Sequence, residues 1–213
     1  MPQQITLDTI RNALTLAQFD AVTAQRKMSP LPRGAGIIPR IRQPRLGAVL
    51  ALLFQKETTL YLLLTKRRED LNSHAGQISF PGGKHEEAES FVDTALRETH
   101  EEVGILPTAV TILGQLTPLF IPPSGFEVHP FVGWYRNGPA PTFTPNVYEV
   151  SELIETPLTH LLDPNTRQEE IWKLRGFPVN VPFFQVGEHK VWGATAMMLS
   201  ELIERLRQAE NNH

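Results

Sequence analysis

Residues 83–105 read GKHEEAESFVDTALRETHEEVGI, and this stretch decides how the rest of the chain is read. It follows Phe80-Pro81-Gly82, so a glycine turn opens it, glycine tolerating backbone angles that other residues avoid. A polar loop comes next, and Glu89-Ser90 or a neighbour can open a helix. That helix is predicted over about 90–103, with Gly104 as its C-cap. Val92, Leu96, Thr99 and Val103 recur at helical spacing and are the predicted buried face. Thr99 has a methyl to bury and a hydroxyl that can bond back to the helix.

Glu98, Glu101 and Glu102 stand at i, i+3 and i+4, so their side chains share a face. Three like charges on one turn repel, and near a helix C-terminus they oppose the helix dipole. A solvated acidic face is the ordinary alternative. A hard divalent cation compensates better, because carboxylate oxygens suit Mg2+ or Mn2+ and leave room for substrate phosphates. Glu98 and Glu102 are the first candidate metal ligands, with Glu101 sharing the site directly or through water. Glu98 and Glu101 are the candidate catalytic carboxylates. Glu127, Glu149 and Glu152 are further candidates for the general base, and spacing does not place them at the metal.

Composition narrows the setting. The chain has 213 residues, enough for one large domain with a real core. Net charge is −3, so no global basic field for nucleic acid exists. With no cysteine, disulfides, thiolate metal sites and cysteine nucleophiles are excluded. No apolar run reaches membrane-spanning length, and the N-terminus makes a poor signal peptide. A cytoplasmic protein without membrane or nucleic-acid partners is expected.

Two regions are expected along the chain. Residues 1–45 comprise an amphipathic helix over about 7–25, with Ile10, Leu14, Ala17 and Ala21 on one face, and a basic Pro-rich arm. That arm is either a solvated wrap on the domain or a source of one or two arginines for a substrate phosphate. The catalytic domain is expected over 46–213. Its strand signals are 46–54, 58–65, 77–80, 109–119, 128–135, 149–156, 172–174, 183–186 and 190–192, with a hairpin at 55–57. A final helix over about 194–208 carries Ala196, Leu199, Ile203 and Leu206 on one side. The expected fold class is α/β (α+β): an α/β/α sandwich with a mixed β-sheet.

The full pattern is Gly83, five residues, Glu89, seven residues, then Arg97-Glu98, Glu101-Glu102 and Gly104-Ile105. The seven matches from Gly83 to Gly104 arise by chance about once in 10^8 starting points. The pattern resembles the box of the Nudix hydrolases, which cleave a nucleoside diphosphate linked to another group. Thr99 departs from it, at a slot usually aliphatic. The resemblance implies that Glu89 and Arg97 pair and hold the loop against the helix, so Gly83, Glu89, Arg97 and Gly104 are structural members of the box. His100, at a variable slot, is expected at the surface.

Upstream, Leu63-Leu64-Thr65-Lys66-Arg67 and Gly76-Gln77-Ile78-Ser79-Phe80-Pro81-Gly82-Gly83 resemble the extra motif of the coenzyme A pyrophosphatase branch. Ser124-Gly125-Phe126-Glu127-Val128-His129-Pro130-Phe131 and Trp192-Gly193-Ala194-Thr195-Ala196-Met197 continue the likeness, which covers about 46–206. Arg68 stands where the branch usually has a small residue, and Asn72 stands in the slot of its second arginine. The resemblance implies hydrolysis of coenzyme A or a derivative to 3',5'-ADP and 4'-phosphopantetheine or its derivative. Lys66, Arg67 and His74 are the candidate substrate contacts. The alternatives are a Nudix hydrolase for ADP-ribose, NADH or dinucleotide polyphosphates, and a non-catalytic Nudix binding module. The partner is then a small nucleoside-diphosphate substrate. Nudix domains often pair, which leaves a homodimer open.

Overall fold

The computed structural model describes residues 5–31, 43–69, 76–138, 140–174 and 176–211. His74, Asn72 and most of the basic arm (32–42) lie outside the described residues.

The centre of the fold is β1 (Arg45–Lys56), whose side chains alternate between two cores. Ala48, Leu50, Leu52 and Phe54 enter one, and Ala51 and Leu53 the other. On one edge β1 pairs in parallel with β7 (Phe126–Tyr135). On the other edge its C-terminal half forms a hairpin with β2 (Thr59–Arg67), closed by a turn at Glu57-Thr58. Beyond Leu53 and Leu62 the two strands part. Into the fork run β3 (Ile78–Ser79), paired with β2, and β4 (Gly82–Lys84), paired with Gly47, Ala48 and Val49 of β1. The glycine loop is therefore bolted to the central strand.

The other elements complete two helical layers about this mixed sheet. α3 (Phe91–Val103) covers one face and β5 (Val110–Gln115), β6 (Leu119–Ile121) and β8 (Val150–Pro157) extend the sheet. α1 (Leu7–Leu14), α2 (Ala21–Arg26), the short α4 (Leu158–Leu162) and α5 (Gly193–Asn211) lie on the other side. A second antiparallel sheet, β9 (Arg167–Leu174), β10 (Phe177–Val186) and β11 (His189–Trp192), leads into α5. The expected sandwich with a mixed sheet is the observed architecture. Among the described residues no helix is long and apolar enough to cross a membrane.

Some boundaries differ from expectation, each for a local reason. The predicted helix over 7–25 is two helices. Thr15 ends the first by directing its amide and hydroxyl at the carbonyls of Arg11 and Asn12, and Asp20 starts the second by accepting from the Thr23 amide. Ala17, expected on the buried face, falls between them and is exposed. The predicted strand over 109–119 begins with a 3-10 turn at Pro107–Ala109 and breaks before Leu119, where Pro118 has no amide to give a ladder. On α3, Val92 and Leu96 are half-buried, while Thr94, Ala95 and Thr99 face the sheet. Small side chains there let the helix lie close on β1 and β4.

Candidate active site

The sequence starts and stops α3 cleanly. Ser90 and Asp93 form a reciprocal capping box at its N-terminus. Gly104, at φ 78°, ends it in the left-handed region, where a side chain would also strike Thr144. The carbonyls of Glu102 and Val103 are satisfied from outside, by the amides of Asn146 and Thr144 at 2.9 Å each. The segment that caps α3 in this way then delivers Glu149 to the glutamates.

Glu102 is buried, with only 3% of its surface exposed. One of its oxygens, Oε2, has no hydrogen-bond partner, and Oε1 lies 3.5 Å from Nη1 of Arg67. Burial pushes the Glu102 carboxyl up to about 8, with Glu98 and Glu149 adding repulsion and Arg67 and the Gly82 amide opposing it. Glu98 is also raised, chiefly by burial. Its carboxylate lies against the glycine loop, where a β-carbon on Gly83 would come within 2.4 Å of it. Gly83 is thus the space that Glu98 occupies. Arg67 also faces Glu149, at 3.8 Å.

Glu89 and Arg97 form the expected pair. Arg97 Nη2 donates to Glu89 Oε1 at 2.9 Å and Nε to Oε2 at 3.0 Å. Its Nη1 turns the other way, to Glu98 at 2.8 Å and Glu101 at 3.2 Å. These carboxylates hold the Arg97 guanidinium firmly protonated. The Arg97 hydrogen bonds draw the Glu89 carboxyl down from 4.5 to about 2. The contribution of this pair to stability is complete above the unfolded value of 4.5 and is lost as pH falls toward about 2. Glu89→Gln should therefore flatten the acid limb of a melting-temperature profile across that window. An acid limb unchanged by the substitution would assign acid unfolding to other carboxylates.

The remaining candidates sort by contact. Arg67 reaches the glutamates, whereas Lys66 pairs with Glu69 at 3.8 Å. Glu101 is exposed and held by Arg97. Of the outlying carboxylates, Glu127 bonds His129 and Glu152 bonds His189, which leaves Glu149 beside Arg67. Thr99 is buried and its hydroxyl bonds the Ala95 carbonyl at 2.6 Å, and His100 is exposed, both as expected. His85, Thr94 and Asn146 were not singled out in the sequence. A polar residue on the sheet-facing side of a short helix, as Thr94 is, was the available signal.

Among the described residues no three acidic or histidine side chains already converge as a closed metal cage. The donor set nevertheless fits a hard cation. A buried carboxylate with an unpartnered oxygen, set next to a second carboxylate, is what Mg2+ or Mn2+ shares with phosphates.

Comparison with known proteins gives the family. The NUDIX domain family matches residues 44–174, from the start of β1 to the end of β9. The chain belongs to the Nudix hydrolase family. As a Nudix hydrolase it acts on pyrophosphate bonds, and members of the family are generally dependent on divalent metal. It is 40% identical over 172 residues to the Nudix hydrolase NudL of Pectobacterium atrosepticum, covering 76% of this chain and 83% of that one. It is 34% identical over 191 residues to the mitochondrial coenzyme A diphosphatase NUDT8 of Homo sapiens, covering 88% and 80%. Among solved structures, the MutT protein of Methanosarcina mazei Go1 superposes with a TM-score of 0.51 at 20% identity, over 81% of this chain and 99% of that one. That likeness concerns the Nudix fold alone.

Proposed function

We propose that this Nudix hydrolase cleaves the diphosphate of coenzyme A or its derivatives, giving 3',5'-ADP and 4'-phosphopantetheine or the matching derivative. The observation that carries the reading is Arg67, which lies on the strand of the Leu63-Leu64-Thr65 motif and faces both Glu102 and Glu149. A guanidinium in that place meets a phosphate that bridges to the carboxylates, and it can do so bidentately. The human relative named as a coenzyme A diphosphatase supports the same substrate.

Glu98 and Glu102 would hold Mg2+ or Mn2+, and Glu101 takes part through water or through Arg97. The cation, when bound, neutralises diphosphate charge and lowers the pKa of water. The chain's own groups do the rest. Arg97 and Glu89 fix Glu98, and Arg67 balances charge on the phosphates. Glu149, part-exposed and free of the histidine contacts that engage Glu127 and Glu152, takes the proton of the attacking water. The water oxygen bonds to phosphorus, the bridging P–O bond breaks, and the departing phosphate leaves with the electron pair. Arg68, four residues before Asn72, donates Nη1 to the Val147 carbonyl at 2.8 Å.

A panel of coenzyme A, ADP-ribose, NADH and dinucleotide polyphosphates, with Mg2+ or Mn2+, tests the reading. Coenzyme A should give the highest kcat/KM, with 3',5'-ADP identified among the products. Arg67→Ala should lower kcat/KM by about 10–100-fold, as expected for a charged hydrogen bond to phosphate worth about 1.5–3 kcal/mol. Faster turnover of ADP-ribose would move the assignment to that substrate class, and no turnover of any member would favour a binding module.

A further inference from the structure

The fixed residues of the box do not hold their own geometry unaided. Thr94 and His85 occupy its variable spacers, yet Thr94 is fully buried. Its Oγ1 lies 2.8 Å from Glu89 Oε1, 2.9 Å from His85 Nδ1 and 3.2 Å from the Ser90 carbonyl. A hydroxyl has one proton to donate, and ionised Glu89 only accepts. The proton therefore goes to Glu89, and His85 donates from Nδ1 to the hydroxyl oxygen, which sets the His85 tautomer. Glu89 Oε1 also receives the Glu86 amide at 3.1 Å. Every donor around Glu89 thus aims it at Arg97, whose other end engages Glu98.

The His85 ring is itself held in place. It rests on Phe91 with ring centres 4.4 Å apart, and Phe91 lies flat on His129 at 3.7 Å and 7°. His129 is anchored by Glu127 at 3.2 Å. A continuous path runs from His129 on β7 through Phe91, His85, Thr94, Glu89 and Arg97 to Glu98.

We propose that Thr94 is a positioning residue for hydrolysis, acting with His85 to hold Glu89 and Arg97 in the geometry that orients Glu98. This rests on reading Glu98 as a metal ligand. Removing the hydroxyl leaves Glu89 one donor short and lets the Glu89–Arg97 pair swing. Outer partners of metal ligands typically matter by 10–100-fold in affinity or activity, and Thr94 sits far enough out to fall at the low end.

The test compares Thr94→Val, Thr94→Ser, His85→Leu and the Thr94→Val/His85→Leu double variant. Mn2+ binding is read from the free-ion EPR signal, and kcat and KM are measured on the best diphosphate of the panel. Thr94→Val should weaken Mn2+ binding and lower kcat by about tenfold each, with KM nearly unchanged and the melting temperature lowered by a few degrees from the buried hydrogen bonds lost. Thr94→Ser should restore both. His85→Leu should do less, and should add nothing in the Thr94→Val background, since it acts through the same hydroxyl. Parent-like Mn2+ binding and kcat in Thr94→Val would overturn the proposal, as would a Thr94→Ser variant equally impaired or additive effects in the double variant. If Thr94→Val fails to fold, His85→Leu decides: weaker Mn2+ binding at an unchanged melting temperature supports the proposal, and unchanged binding overturns it. Glu98→Gln separates the two levels. An active Glu98→Gln enzyme removes the metal reading and this proposal together, whereas an inactive one beside a normal Thr94→Val removes this proposal alone.

Discussion

Glu102→Gln should lower turnover by about 10^3-fold or more while making the metal-free protein more stable. The activity loss follows from removing a proposed metal ligand whose cation contributes several kcal/mol of charge stabilisation. The stability gain follows from what Glu102 costs when no cation is bound. Its carboxyl is buried, has an unpartnered oxygen and is pushed up to about 8. A folded-state value above the unfolded 4.5 means the folded protein holds a proton that the unfolded chain has released. Stability from this group is present below 4.5 and is lost as pH rises toward about 8. Glutamine does not titrate, so the variant's advantage should grow by up to about 1.4 kcal/mol per pH unit across that window and level off above it. Denaturant titrations in chelator, at several pH values, measure this directly. A stability difference independent of pH, or near-parent turnover, would contradict the assignment.

Glu201→Ala should destabilise the protein by about 3–5 kcal/mol, the usual result of breaking a buried ion pair from one side. Glu201 is fully buried on α5. It accepts from Arg205 Nε at 2.9 Å, Gln25 Nε2 at 2.9 Å, the Thr117 hydroxyl at 3.0 Å and the Thr117 amide at 3.1 Å. Arg205 in turn lies over the Phe19 ring at 4.3 Å and reaches the Ala13 carbonyl. Alanine strands the Arg205 charge and the Gln25 amide together. For a chain of this size the melting temperature should fall by roughly 10 °C. Replacing both charges with apolar residues of like volume should recover most of the loss. A change below about 1 kcal/mol would mean that water replaces the glutamate. Because the network ties α1, α2 and their connection to α5, we propose that residues 5–31 melt with the catalytic domain rather than as a separate arm.

What the sequence disclosed follows from range. The unbroken apolar run in 46–54 and helical spacing in 194–208 are local patterns, and both elements appear where expected. Ser90 and Gly104 bound α3 as their chemistry requires. The capping geometry that splits the N-terminal helix at Thr15 and Asp20 is also local, but hydrophobic spacing masked it. The site was legible only where its members share one helix. Glu98 and Glu102 could be paired from their spacing, whereas the approach of Glu149 depends on a loop docking onto the end of α3. Lys66 and Arg67 are adjacent in the chain, and only the described contacts separate them, sending one to Glu69 and the other to Glu102.

The parallel pairing of β1 with β7 joins partners about 80 residues apart, from Arg45 with Phe126 to Leu53 with Trp134. Parallel neighbours need a crossover, and α3 is part of the one that links these two. The helix that carries the glutamates is thus enclosed within one of the two long loops the sheet must close, the other joining β2 to β8. Loop closure of that length is slow, and its entropy is lost before the contacts form. Glu149, which reaches the glutamates of α3 only through a docked loop, should consequently join them late in folding. During synthesis, a ribosome-bound chain that has not yet emitted β7 would present Glu98 and Glu102 on a helix backed by β1–β4 alone. Cation affinity should then appear in step with native structure rather than ahead of it, and a Mn2+ signal followed during refolding would report the closing of the central sheet.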